Sequence, residues 1–213
     1  MKVLSVVGQK GGSGKTTVTV SLAVEAVRAG KNVAIIDLDP QASAANWGDR
    51  RGEASPPAVV SCQASRLEKV LAVARSQEVE LVLIDTPGKS AEAAISAIKV
   101  ANHVIIPVEP HMSNLETLAN VAELLALAGR PNSTVVINKA PPLGKRHEDA
   151  REAITARGFS VAPVILYQRA AHSDATNLGI TAAEHEPKGK AATEMALLYD
   201  HIDSNIYVDT AIS

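Results

Sequence analysis

The chain alternates between short apolar runs and longer stretches in which apolar residues recur every three or four positions. The runs at 3–8, 33–37, 81–84, 103–108, 134–137 and 161–166 have the length of buried strands. Between and after them, 17–29, 65–76, 91–101, 115–128, 146–157 and 190–206 carry helical spacing. Gly30 is placed to end the first helix. In 65–76, Leu67, Val70, Leu71 and Val73 are expected to face inward. Segment 48–57 is polar, contains Gly and Pro, and reads as a loop. There is no internal repeat. Strands separated by helices of this length predict an α/β fold: a doubly wound, mainly parallel sheet with helices on both faces. Ligands in such sheets bind beyond the carboxyl ends of the strands. The residues just after each apolar run are therefore where chemistry is expected.

Composition narrows this picture. A length of 213 residues suits one domain spanning 1–213. The hydrophobic share is 46%, yet there are only one Trp, three Tyr and one Phe, so the core must be built from Ala, Val, Leu and Ile. Those residues suit a buried parallel sheet. The net charge of −2 excludes a polycation; any nucleic-acid contact has to come from a local patch. Cys62 is the sole cysteine, which rules out an intrachain disulfide and a cysteine-ligated iron–sulfur cluster. No apolar run reaches membrane-spanning length, and Met1-Lys2 leads directly into the first strand. A reducing, cytoplasmic location is expected.

The segment Lys10-Gly11-Gly12-Ser13-Gly14-Lys15-Thr16 lies between the first strand and the first helix. That is the context a phosphate-binding loop needs. Its glycines let the backbone curl with N–H groups facing an anion, and the helix start adds a positive dipole end. Lys15 suits terminal phosphates, and the Thr16 hydroxyl suits Mg²⁺, with Thr17 next on the same helix start. The usual first glycine of the pattern falls on Gln9, and a second lysine, Lys10, precedes the glycines.

Because of that lysine, the segment resembles the deviant Walker A loop of the ParA/MinD group of ATPases. The resemblance implies ATP and Mg²⁺ as ligands and a homodimer formed on ATP binding. It also implies that Lys10 reaches the nucleotide of the other subunit. Asp37-Leu38-Asp39-Pro40-Gln41 is similar to the D-x-D-P-Q element of ParA proteins. There the second acid, here Asp39, polarises the attacking water, and the first, here Asp37, supports the loop and the magnesium shell. Asp85-Thr86-Pro87-Gly88, after an apolar strand, looks like the Walker B strand and switch II, with Asp85 holding Mg²⁺ through water. Two readings of Asn138 stand: a contact to adenine, as the resemblance implies, or a residue that ends a strand in a turn. Arg169 follows the last apolar run, where ParA proteins carry a comparable arginine.

The implied reaction is ATP hydrolysis with weak basal turnover, since no arginine finger is evident, and with stimulation by a partner. The implied role is that of short plasmid-type ParA proteins: binding DNA without sequence preference and segregating plasmid or chromosome cargo. The activator would be ParB-like or a small ribbon–helix–helix protein, and the ATPase would be nucleoid-associated. Only nine residues precede Lys10, so no N-terminal helix-turn-helix domain is expected. Arg169, Lys188 and Lys190 are candidates for DNA-backbone contacts; Lys188 and Lys190 read equally as a solvated face beside Glu184 and Glu186. The alternative is a MinD-like or other protein-positioning ATPase that does not act on DNA. A membrane-bound form needs a basic amphipathic tail. The stretch 196–213 instead carries Asp200, Asp203 and Asp209, so no membrane partner is expected.

Overall fold

Six short parallel strands set the frame of the computed structural model, which describes residues 1–129 and 131–208. They are β1 (Lys2–Val6), β2 (Val33–Asp37), β3 (Ala58–Ser61), β4 (Leu81–Asp85), β5 (His103–Val108) and β6 (Ser133–Ile137). Their order in the sheet is β3-β2-β4-β1-β5-β6. The first strand therefore lies inside, paired with β4 on one side and β5 on the other. β2 and β4 are buried along their whole length, as strands covered on both faces must be.

Helices cover both faces. On one, α1 (Lys15–Arg28), α2 (Ser43–Arg51) and α10 (Lys190–Val208) enclose a core that includes Leu22, Trp47, Leu198 and Ile202. On the other lie α3 (Leu67–Ser76), α4 (Ala91–Val100), the short α5 (Met112–Leu115), α6 (Thr117–Leu127) and α7 (Arg146–Thr155). Two short helices, α8 (Ala170–Asn177) and α9 (Ala182–His185), precede α10. The doubly wound parallel sheet expected from the alternation is present.

Four local expectations are corrected. Segment 48–57 is not all loop, because α2 runs through Gly48 to Arg51. Gly48 persists in this helix because a Cβ there would stand 2.8 Å from the Val59 side chain of β3. β3 is an addition: a mostly exposed edge strand whose apolar run is only three residues long, 58–60. In α3 the buried residues are Leu67, Leu71 and Ala74, an i, i+4, i+7 stripe, whereas Val73 is 60% exposed. Finally, 161–166 is not a strand. Its backbone does follow β6, through Ala162 N–H to the Val135 carbonyl and Leu166 N–H to the Ile137 carbonyl. Between these bonds the chain bends at Pro163 and Val164 and advances four residues against two on β6, so only isolated bridges form.

Among the described residues no helix is long and apolar enough to cross a membrane. Of the acidic tail, Asp209 lies outside the described residues.

Candidate nucleotide-binding site

The loop between β1 and α1 sits at the carboxyl edge of the sheet, where the strand order turns back on itself. Gly12 (φ +83°) and Gly14 (φ +85°) take left-handed conformations that other residues adopt only under strain. Gly14 is also the N-cap of α1 and supplies no side-chain cap, so the first N–H groups of that helix point into the loop. A Cβ on Gly14 would meet Asn138 Nδ2 at 2.3 Å, which leaves no room for a side chain.

Beneath the loop the charged groups are packed together. Lys15 is buried, with Nζ donating to the Lys10 carbonyl at 3.2 Å. Burial lowers its pKa, against the pull of Asp85 and Asp39. Thr16 Oγ1 donates to Asp85 Oδ2 at 2.6 Å, and Thr19 Oγ1 lies 3.4 Å from Asp85 Oδ1. Burial pushes the Asp85 pKa up to about 7; the Thr16 hydrogen bond and Lys15 oppose this, while Asp37 and Asp39 add to it. A buried carboxylate this costly to charge is suited to a site that receives a cation. Thr16 and Asp85 are thus the residues that fit Mg²⁺, and among the described residues no cluster of three or more His, Cys, Asp or Glu offers another cation site.

After Asp85 the chain turns over the loop. Thr86 Oγ1 donates to the Val6 carbonyl at 2.8 Å. Gly88 then packs on the loop so closely that a Cβ would stand 3.0 Å from Gly11 N and 3.1 Å from the Lys10 carbonyl carbon. The two segments touch backbone to backbone. Asp39 lines the same cleft, a space of about 820 Å³ that also includes Gly11, Gly12, Lys15 and Thr16. Lys10, next to the lining residue Gly11, is exposed.

Asp37 has a different place from the one expected. It is fully buried, and both its oxygens accept backbone N–H groups: Asp39 on Oδ1, Ala44 and Ala45 on Oδ2, at 2.9–3.0 Å. It caps α2 and shapes the turn that carries Asp39, so the metal-shell role read from sequence is revised to a structural one.

One family model, described as the CobQ/CobB/MinD/ParA nucleotide binding domain, matches residues 4–180. The chain belongs to that family. Its relatives include a maintenance of carboxysome distribution protein A from Gloeobacter kilaueensis, 28% identical over 204 residues and covering 94% of this chain and 92% of that one. Another is protein ParA of Rhizobium radiobacter, 25% identical over 182 residues, with 81% of each chain covered. In fold, the septum site-determining protein MinD of Pyrococcus horikoshii, solved with Mg-ADP, matches 99% of each chain with a TM-score of 0.77 at 21% identity.

Within this nucleotide-binding domain, Asn138 is buried and donates to the Ser13 carbonyl at 2.8 Å, so its amide braces the phosphate loop. It also borders a second cavity of about 400 Å³, shared with Lys139, Tyr167, Arg169 and His172. Arg169 is held there: its Nε lies 3.0 Å from Glu194 Oε1 and its guanidinium is 5.4 Å from the Tyr167 ring centre. Lys188, just before α10, and Lys190, at its start, are exposed.

Several residues of the site escaped the sequence reading, among them Lys139, Glu109 and Arg50. Lys139 has a left-handed backbone (φ +52°), donates to the Gly12 carbonyl and lies 3.7 Å from Glu109. Lys139 thus holds the loop at Gly12, with Glu109 beside its ammonium. Arg50 lines the cleft from α2. Recognition of helix 43–51 would have placed Ser43, Asn46, Trp47 and Arg50 on one face, and all four line the cleft.

Proposed function

We propose that this protein binds and hydrolyses Mg-ATP, dimerises in its ATP form and positions a cargo along a DNA matrix. The observation that carries this reading is the convergence of Lys15, Thr16 with Asp85, and Asp39 on one cleft. Phosphoryl transfer asks for positioned water, a divalent cation and positive charge on phosphate oxygens. Lys15 and the N–H groups of the glycine loop hold the phosphates. Thr16 and Asp85 hold Mg²⁺, which when bound neutralises charge developing on the phosphate oxygens. Asp39 orients the attacking water from the cleft wall. Lys10, exposed next to the lining residue Gly11, serves the nucleotide of the second subunit.

The cargo is open to two readings. Similarity to protein ParA supports a plasmid or chromosome region, with a ParB-like or ribbon–helix–helix activator. Similarity over nearly the whole chain to a carboxysome distribution protein supports a protein assembly moved by the same cycle. In both, DNA binding without sequence preference is assigned to the ATP dimer, and activation of hydrolysis to a cargo-bound partner.

The test is steady-state hydrolysis with and without Mg²⁺ in wild type and Lys15→Ala, together with DNA retardation in ATP, in ADP and without nucleotide. Mg²⁺-dependent turnover abolished by Lys15→Ala, with DNA retained in ATP alone, is the expected result. Equal turnover in the two proteins would sink the site assignment. Absence of DNA binding at low salt in all three states would transfer the function to MinD-like protein positioning without DNA.

A further inference from the structure

We propose that Arg50 is a nucleotide-binding residue whose guanidinium meets the sugar-proximal phosphate of the bound nucleotide. The proposal rests on the nucleotide reading above and adds a residue and a position to it.

α2 is held firmly along its length. At its start, Asp37 caps the Ala44 and Ala45 N–H groups. On its inner face Trp47 is fully buried, with Nε1 donating to the Ile180 carbonyl at 3.2 Å. At its end, Arg51 forks onto Glu184 through two bonds of 3.0 and 2.7 Å. The backbone at Arg50 comes so near Gly179 that a Cβ there would stand 2.5 Å away. Arg50 therefore projects from a fixed platform. Its Nε donates to the Thr176 carbonyl at 3.3 Å, and among the described residues its two terminal nitrogens have no protein partner. An arginine anchored through Nε presents two parallel N–H groups, the arrangement that suits a phosphate.

The position along the ligand follows from the two cavities. Thr17, Lys139 and Thr176 border both the 820 Å³ cleft and the 400 Å³ cavity, so the two meet there. Asp39 and Gly88 border only the cleft, away from that junction. A nucleotide lying across both cavities has its terminal phosphate toward Asp39 and Gly88 and its sugar at Thr17 and Thr176. Arg50, bonded to Thr176, is at the sugar end. It then faces a phosphate present in ATP, ADP and AMP alike, and binds ground state and transition state equally. Such a contact raises affinity and leaves kcat unchanged.

The experiment is titration of wild type, Arg50→Ala and Arg50→Gln with ATP, ADP and AMP in Mg²⁺, with steady-state hydrolysis and thermal unfolding in parallel. Arg50 is exposed, so both variants are expected to unfold with wild type. Kd for all three nucleotides should rise by a common factor of about two- to fivefold, within the range for an exposed charge pair, with KM following and kcat within about twofold. Unchanged affinities in both variants, with normal wild-type binding, would overturn the assignment and leave the nucleotide reading intact. A loss confined to ATP, or a fall in kcat at unchanged KM, would also overturn it, because either moves Arg50 to the terminal phosphate. Failure of the wild type to bind any nucleotide would remove the underlying reading, and this assignment with it.

Discussion

Asp85 shows how one residue ties stability to ligand binding. It ends β4, is 1% exposed and takes its short hydrogen bond from Thr16. Desolvation raises its pKa from 3.8 to about 7. The folded protein therefore holds this proton more tightly than the unfolded chain. The stability it contributes is complete below pH 4 and is lost as pH rises to about 7; above that, the buried charge persists at a cost of a few kcal/mol. Asp85→Asn keeps an acceptor for Thr16 and removes the charge. Without nucleotide, this variant should melt several degrees above wild type at pH 8, and the gap should close toward pH 5. With Mg-ATP the order should reverse, because only wild type gains a ligand. Thermal unfolding across pH 5–8 decides it; parallel curves for the two proteins would remove Asp85 as the source. The sequence already pointed to Asp85, through an apolar run ending in an acid. The resemblance separated Asp39 from Asp37 by role, but alternation along an extended chain places both on one side and by itself does not distinguish them. Only the arrival of the Ala44 and Ala45 N–H groups reveals which acid caps α2 and which faces the cleft.

At the scale of elements, α2 joins the turn that carries Asp39 to the segment before α10. Arg51 is the connection that matters most for stability: its side chain is 10% exposed and forks onto Glu184, itself the acid of a capping box with Thr181. Burial pushes the Glu184 pKa up, but Arg51 and Thr181 more than offset it, and the net shift is downward. The pair therefore stabilises above the ordinary carboxylate range and loses its contribution as the pH falls through the lowered value. Arg51→Met leaves Glu184 without its partner and should cost about 1–3 kcal/mol at pH 7, less at pH 4. Urea unfolding at the two pH values measures this, and an equal loss at both would assign the effect to packing on Trp47 instead. These elements are also where the sequence was least legible. The interior strands and α1 stand out because burial on both faces forces continuous apolar runs. α2 has only Ala44 and Trp47 buried and carries Gly48, so its helical period is weak and local chemistry suggests a loop. α8 and α9 are short and polar and are held by tertiary bonds such as that of Arg50 to Thr176. The run at 161–166 was misleading for the opposite reason: its residues are apolar enough for a strand, but between its two bonds to β6 it spends four residues, 162 to 166, against two on β6, 135 to 137, and bends at Pro163 and Val164.

At the scale of the whole molecule, the question is what ATP changes on the surface. Lys10 is exposed, and its backbone already has two local tasks, accepting the Lys15 ammonium and supporting Gly88. Its side chain is free to act across an interface. Lys10→Ala should bind ATP as wild type does yet fail to dimerise, as light scattering with a slowly hydrolysed analogue would show. DNA binding should then fail as well, for an electrostatic reason. Net charge is −2, and Lys188 and Lys190 form a small exposed patch next to Glu186. One such patch is too weak for stable association at physiological salt; a two-fold dimer presents two, and the second contact is made at high effective concentration. DNA retention should therefore require ATP, fall steeply between low and physiological salt, and be insensitive to sequence. Lys188→Ala with Lys190→Ala should weaken binding to every DNA about equally and flatten the salt slope, with ATP-dependent dimerisation intact. Lys10→Ala should lose DNA and dimer together. Retention of DNA by monomeric Lys10→Ala would show that doubling the patch is not how nucleotide controls binding.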